Sequence, residues 1–355
     1  MIRPANDAAS PADWPVLPPA QAGFAADLAE RLDARVADGS FRNLHGVVVA
    51  RRGALVAERY YEGDDERWGD VLGKVVFGPN VLHDLRSVSK SIVGLLYGIV
   101  LEAGQVPAVD TPLLDCFPQY GDLARDPARR EIRVGHALAM TMGLAWDEGP
   151  SYRDPKNSEI AMETAPDRYR YVLERPIVAE PGSRWIYCGG ATALLARLIA
   201  QGAGVPLLDV AWRRLFEPLG IGEAEWITGS DGEPAAASGL RLCPRDLARI
   251  GQLVLDGGEV ADRKVVPHDW LRQSFTPHAR TDDDLDYGYQ WWLGTSPRAG
   301  KPWMAAFGNG GQRMMIVPHL GIVIVVTAGN YNLADAWQLP VAVITEVVFP
   351  ALERL

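Results

Sequence analysis

Cysteine is scarce in this sequence, with only Cys116, Cys188 and Cys243 among 355 residues. An odd, widely spaced set without a CxxC pair argues against a disulfide framework or a zinc ribbon. Histidine is also thin. There are six, none in an HExxH or HxH pattern, so a metallohydrolase would lack its ligand signature, and neither metal nor cofactor is expected in the chemistry. The formal net charge is -10 and no dense run of Lys or Arg interrupts it, so no nucleic-acid track and no polybasic membrane patch is expected. Long apolar runs are missing too. The best, "GIVIVVTAG" (321–329), has the length of a strand and not of a membrane span. The amino-terminal "MIRPANDAASPADWPVLPPAQAGF" has no signal-peptide core, and the protein is expected to be soluble and cytoplasmic. A GxSxG elbow occurs nowhere, which sets aside the α/β-hydrolase arrangement.

What is present is an ordinary globular composition, 48% hydrophobic and 23% charged, sufficient for one extended domain or two packed lobes. Residues 1–20, rich in Ala and Pro, are expected to wander along the surface. "AADLAERLDARVADG" (25–39) repeats Leu28, Leu32 and Val36 at helical spacing. "LHGVVVARRGALVAERYY" (44–61) reads as a hairpin turning at "RRGA". The carboxyl end mirrors it, with two strands around "PHLG" in 313–330 and a closing helix in 336–352. Between them, 131–144, 191–204, 207–220 and 243–258 carry helical patterns, several ending in Gly. These patterns predict an α+β protein in which one antiparallel sheet is built from both chain ends and flanked by helices. Residues 1–95 and 275–355 form that lobe, 96–274 an inserted, mainly helical lobe, and the active site lies in the cleft between them.

The segment "DLRSVSKSIVGLLYGIV" (84–100) carries the first chemical signal. It turns helical at about Ser87 and is apolar nearly all round, so it is a buried helix. Gly94 and Gly98, each costing about 1 kcal/mol against Ala, suggest close approach of another backbone. Ser87 and Lys90 are one turn apart on one face, at the positive end of the helix dipole. A serine hydroxyl needs a group to take its proton, and a desolvated lysine of depressed pKa can help. In "PGSRWIYCGGATALLARLI" (181–199), Tyr187 precedes Gly189-Gly190 and a helix. A phenol beside an ammonium can be pulled below its reference pKa of about 10 and act as a base. "AAFGNGGQRMMIVP" (305–318) is a glycine-rich turn running into a strand, where a substrate can lie against the edge and a backbone N–H can serve an oxyanion. The bland readings are an N-cap serine with a surface lysine, a packing tyrosine, and a tight turn.

In this order the three elements resemble the serine β-lactamase and penicillin-recognising superfamily. The likeness is to its class C-like branch with the esterases and 6-aminohexanoate-dimer hydrolases. It is carried by "SVSK", "IRVGHALAMTMGL", "PGSRWIY" and "GNGGQ", and covers roughly residues 40–350. The resemblance implies Ser87 as acylating nucleophile, Lys90 as its partner and Tyr187 as general base, handing its proton to the leaving group. The backbone N–H groups of Ser87 and Gln312 would form the oxyanion hole. "WDEGPSYRDPKNSE" (146–159) is similar to the loop overhanging the site in the dimer hydrolases, which makes Tyr152 a candidate lid residue. Two positions depart from the pattern. Gly189 stands where the second motif usually has Asn, and Asn309 opens the third motif in place of Lys or His. Asn309, Gly310 and Gly311 are expected to bind substrate, and Arg313 to restore a positive charge if it faces the cleft.

These readings converge on a serine hydrolase cleaving a small ester or amide through an acyl-enzyme on Ser87. The alternatives are β-lactamase or D-Ala peptidase-like activity, or a non-catalytic binding protein on the same fold. Trp291, Trp292 and Trp303 are candidates for an apolar acyl pocket. On oligomeric state the sequence is silent.

Overall fold

The continuous β-branched runs from the two halves of the chain meet in one sheet. The computed structural model describes residues 2–3, 14–229, 231–296 and 299–353. Its main sheet has eight antiparallel strands in the spatial order Ala279–Arg280, Asp286–Tyr287, Trp292–Thr295, Pro302–Gly308, Gln312–Val317, Ile322–Ala328, Leu44–Arg51 and Ala54–Tyr60. The chain ends join where Ile322–Ala328 pairs with Leu44–Arg51, placing Val325 opposite Val48. Every residue of both strands is buried, because each face of the sheet is covered.

Strand periodicity decides which side chain meets which layer. Val47, Val49 and Val326 pack with Leu28 and Leu32 of the Leu28–Ala37 helix and with Val343 and Val347 near the carboxyl terminus. Val48, Val323 and Val325 face the other way, into the larger core with Ile92, Leu247 and Ile250. That core continues through the helices Val88–Glu102 and Gly189–Ala203. Each fully buried aliphatic side chain contributes about 1.5–3 kcal/mol. The catalytic-motif helix is therefore anchored against both the sheet and the helical region. A site at its amino-terminal end inherits the rigidity of both.

Several expectations need correction. The helix foreseen over 131–144 is confined to Val134–Leu138. Met140 (φ 57°) and Gly143 (φ 74°) turn the chain, and a Cβ on Gly143 would lie 2.2 Å from the Ala179 carbonyl oxygen. The 207–220 segment is a short helix, Leu207–Ala211, followed by a π turn and a 3-10 turn that ends at left-handed Gly220. The hairpin Glu62–Arg67 and Asp70–Val76 was hidden because "EGDDER" has no apolar alternation. The expectation for residues 1–20 falls largely outside the described residues. From Trp14 onward the chain is tied down, with Val16 bridged to Leu55 and Leu17 N–H donating to the Leu55 carbonyl at 2.9 Å. Gly94 does face another backbone, 3.1 Å from the Tyr289 carbonyl oxygen to an added Cβ, but Gly98 makes room for the Trp270 indole. No single helix among the described residues is long and apolar enough to cross a membrane.

Candidate active site

Ser87 sits at a forced bend. The residue before it, Arg86, adopts φ 49°, a left-handed conformation that costs a non-glycine residue about 1–3 kcal/mol and persists only when its surroundings over-determine it. Here Arg86 pairs with Asp84 at 3.2 Å and Glu66 at 3.5 Å, and its guanidinium lies 4.4 Å from the Tyr331 ring centroid. The bend delivers Ser87, 7% exposed, to the start of a helix whose next thirteen residues are buried.

One turn on, Lys90 is 1% exposed, and each of its donors is used. The ammonium donates to Ser87 Oγ at 2.9 Å, to the Ala237 carbonyl at 3.2 Å and to Glu159 Oε2 at 3.4 Å. Glu159 is fully buried, and its other oxygen accepts the Ser238 hydroxyl. It is delivered by the Ser158–Glu163 helix, which Asn157 caps by accepting from the Glu159 and Ile160 N–H groups. Tyr187 completes the group, its phenol interacting with Ser87 and with the Lys90 ammonium. Its ring centroid is 4.9 Å from the ammonium. The structure thus brings together Ser87, Lys90 and Tyr187.

Their electrostatics differ from the expectation. Burial acts to depress Lys90, but the carboxylates of Glu159 and Glu148, with Tyr187, outweigh it and the pKa is raised. Tyr187 is raised too, because burial and the same two carboxylates prevail over the neighbouring ammonium. The resting site therefore holds a charged lysine and a neutral phenol. Glu148 is itself pushed above the usual carboxylate range, mainly by burial and by Glu159, against the pull of Lys90. It accepts from the Gly189 N–H at 2.6 Å, the Trp146 indole at 2.6 Å and the Tyr152 hydroxyl at 2.8 Å.

Gly189 explains how the carboxylates fit. A Cβ there would lie 2.5 Å from Glu159 Oε2 and 3.1 Å from Glu148 Oε1. The volume that a side chain at this position would fill is taken by carboxylates from another segment. Glu159 and Glu148 were missed as site residues, although both lie in the segment that supplied Tyr152. The available signal was pairwise: a lysine inside an apolar helix requires a counter-charge, and a glycine in a polar motif position leaves room for one.

The glycine-rich turn forms the opposite wall. Gly310 (φ 91°) and Gly311 (φ 98°) occupy the left-handed region, and a Cβ on Gly310 would lie 2.5 Å from Tyr331. The Gln312 side chain pins the turn, donating to the Asn309 and Ala328 carbonyls at 3.2 and 2.6 Å and accepting from the Ala328 N–H. Asn309 is tied to Asn332, accepting from its backbone N–H at 2.8 Å. A cavity of about 280 Å³ opens here, lined among others by Ser87, Tyr187, Gln312, Tyr152 and Arg313. Arg313 faces this cavity, its guanidinium 3.7 Å from the Phe307 centroid. Burial lowers its pKa to about 10. Of the three candidate tryptophans only Trp292 lines the cavity; Trp291 is core, and Trp303 shares the sheet face of Trp292 and packs near Phe307, 6.5 Å between ring centroids, outside the lining.

Comparison with known proteins places this geometry. The Beta-lactamase family model matches residues 28–338. A 6-aminohexanoate-dimer hydrolase of Paenarthrobacter ureafaciens is 25% identical over 343 residues, covering 90% of this chain and 79% of that one. Among solved structures, a candidate 6-aminohexanoate-dimer hydrolase from Bacillus anthracis superposes with a TM-score of 0.74 at 20% identity, over 99% of this chain and 90% of that one. EstCE1, described as a hydrolase with promiscuous acyltransferase activity, gives 0.71 at 17% identity, over 89% and 98%. With the fold, the matched span and the hydrolase relatives in agreement, the chain belongs to the beta-lactamase family and is a serine hydrolase.

Proposed function

We propose that the protein cleaves a small ester or amide through an acyl-enzyme on Ser87. The observation that supports this is the Ser87–Lys90 contact of 2.9 Å with the Tyr187 ring centroid 4.9 Å from the ammonium, Ser87 and Tyr187 standing together in the wall of one cavity. Ser87 Oγ attacks the carbonyl carbon while its proton passes to the Tyr187 oxygen, and the phenol gives its own proton to the leaving alcohol or amine. A neutral phenol can work in this relay because it gains and loses a proton together. Lys90 stays an ammonium and stabilises the charge that develops on the phenol oxygen. The N–H groups of Ser87 and Gln312 hold the tetrahedral oxyanion. Water then enters near Tyr187 and the reverse relay frees Ser87.

Arg313 favours one substrate class. A cation in the cleft wall with no carboxylate paired to it among the described residues suits an acyl or leaving part that carries a carboxylate. A linear ω-amino acid amide, as cleaved by a hydrolase of the 6-aminohexanoate dimer, has this feature. Asn309 offers only neutral hydrogen bonds and is already engaged by Asn332, so β-lactams rank below esters and linear amides. The test is a panel of p-nitrophenyl acyl esters, 6-aminohexanoate dimer and nitrocefin against wild type and Ser87→Ala. Turnover of an ester or the dimer is expected, with more than about a 1,000-fold loss in the folded variant. A fully active variant would end the reading, and rapid nitrocefin turnover would reverse the substrate order.

A further inference from the structure

A second polar cluster lies outside the cavity. His45, on Leu44–Arg51, Asp65, on Glu62–Arg67, and His83, four residues before Ser87, are 0%, 3% and 0% exposed. Their hydrogen bonds fix the protons. Asn43 Oδ1 accepts from the Asp64 N–H at 2.9 Å and Asn43 Nδ2 donates to the Asp64 carbonyl at 3.0 Å, which sets the amide orientation. His45 Nε2, 3.1 Å from Asn43 Oδ1, must then carry a hydrogen. His83 Nδ1, 2.8 Å from the Asp84 carbonyl oxygen, must carry one too. With that one hydrogen on the outer nitrogen of each imidazole, the inner nitrogen bears a lone pair. Those two lone-pair nitrogens, His45 Nδ1 and His83 Nε2, face each other at 2.9 Å.

Two acceptors at that distance repel unless a cation lies between them. Asp65 supplies the balancing charge. Its Oδ1 is 4.0 Å from each inner nitrogen and accepts the Tyr331 hydroxyl at 2.8 Å, while its Oδ2 is buried without a partner. A triangle with sides of 2.9, 4.0 and 4.0 Å has a centre about 2.1 Å from every corner, the distance zinc keeps from imidazole nitrogen and carboxylate oxygen. The outer N–H of each ring is held by a carbonyl oxygen, as is usual for metal-bound histidines.

We propose that His45, His83 and Asp65 bind one divalent transition-metal ion of the zinc class in a structural site. The three ligands come from three segments, and the site ties the strand leading to Ser87 to the first strand of the sheet and to the outer hairpin. Tyr331 links Asp65 to Gly310, so the ion also supports the third-motif turn. It takes no part in the chemistry at Ser87, since none of its ligands lines the cavity.

The test uses the full chain, untagged and purified without chelator. Elemental analysis is expected to find about one zinc per chain in wild type and less than a tenth of that in Asp65→Asn and His83→Gln. Chelated wild type should regain its thermal midpoint on addition of Zn²⁺ and develop the visible d–d bands of a low-symmetry site with Co²⁺. Should the variants fail to fold, these wild-type titrations decide by themselves. Wild type that neither carries metal nor responds to Zn²⁺ or Co²⁺ overturns the proposal. So does metal retained undiminished in the folded variants, or ¹⁵N resonances showing one proton shared between the rings of a metal-free protein.

Discussion

Replacing Glu159 by Gln tests the electrostatic design of the site while changing little of its shape. The pair is buried on both sides, with Lys90 at 1% and Glu159 at 0% exposure and 3.4 Å between Nζ and Oε2. Breaking a buried pair by removing one partner costs about 3–5 kcal/mol, because the survivor is left uncompensated. Lys90 would keep Ser87 Oγ and the Ala237 carbonyl, and Glu148 still acts on it. The loss should therefore fall at the lower end, about 3 kcal/mol, read as a lower urea midpoint with an unchanged m-value. Lys90→Met combined with Glu159→Leu removes both charges and should recover to within about 1 kcal/mol of wild type while remaining inactive. Glu159 also raises Tyr187, so E159Q should move the basic limb of kcat/KM to lower pH, an effect that lost packing would not produce. A stability loss under about 0.5 kcal/mol together with an unmoved pH profile would refute the positioning role.

Three further outcomes follow from the same geometry. Because Lys90 and Tyr187 are both raised, activity should fall on the basic side only above about pH 10, and because Glu148 is raised, the acid limb should lie above the usual carboxylate pKa of about 4.3; a stopped-flow pH profile with a basic limb well below about pH 10 or an acid limb below that carboxylate value would contradict this. Arg313→Met should raise KM for a carboxylate-bearing substrate about 10- to 100-fold, the equivalent of one lost charge-assisted hydrogen bond, and leave that for a neutral p-nitrophenyl ester within about twofold. Gly189→Asn should lower the thermal midpoint in wild type, where its Cβ would lie 2.5 Å from Glu159 Oε2, and be tolerated when Glu159 is also replaced by Ala; equal penalties in the two backgrounds would show that Glu159 does not occupy that volume.

The elements that the sequence made legible are those with one dominant local signal. Val47 to Val49 and Ile322 to Val326 announce paired strands through β-branching, and Gly204 and Gly220 mark helix ends with the left-handed turn that only glycine takes at low cost. The 131–144 segment misled because its apolar residues answer to contacts with distant chain, as at Gly143 against Ala179, and the helical period there is incidental. At the site, Ser87, Lys90 and Tyr187 stand in motifs, whereas Glu159 gains meaning only through Lys90, sixty-nine residues away. The pKa directions were misjudged for the same reason. Each residue was weighed against the one charge visible nearby in sequence, and the two carboxylates that decide the sign arrive from a distant segment, Glu148 on a loop and Glu159 on the helix that follows it. The His45–His83 pair was equally hidden, since the fold alone makes neighbours of residues 38 positions apart.

Charge is distributed unevenly across the cleft, and that asymmetry constrains how a substrate can lie. On the Tyr187 side, Glu159 and Glu148 surround Lys90, so an incoming carboxylate there would meet two like charges in a desolvated site. On the strand side, Arg313 stands over Phe307 with its Nε unpartnered, and a carboxylate would be drawn to it. In the proposed relay a leaving amine would depart past Tyr187, with Glu159 and Glu148 nearby to favour a nascent ammonium. If the proposed linear amide is the substrate, its carboxylate end is expected toward Arg313 and its free terminal amine toward Glu148. Reversing the polarity of the substrate, with the amine toward Arg313, should cost both ends of the interaction at once and show mainly in kcat/KM.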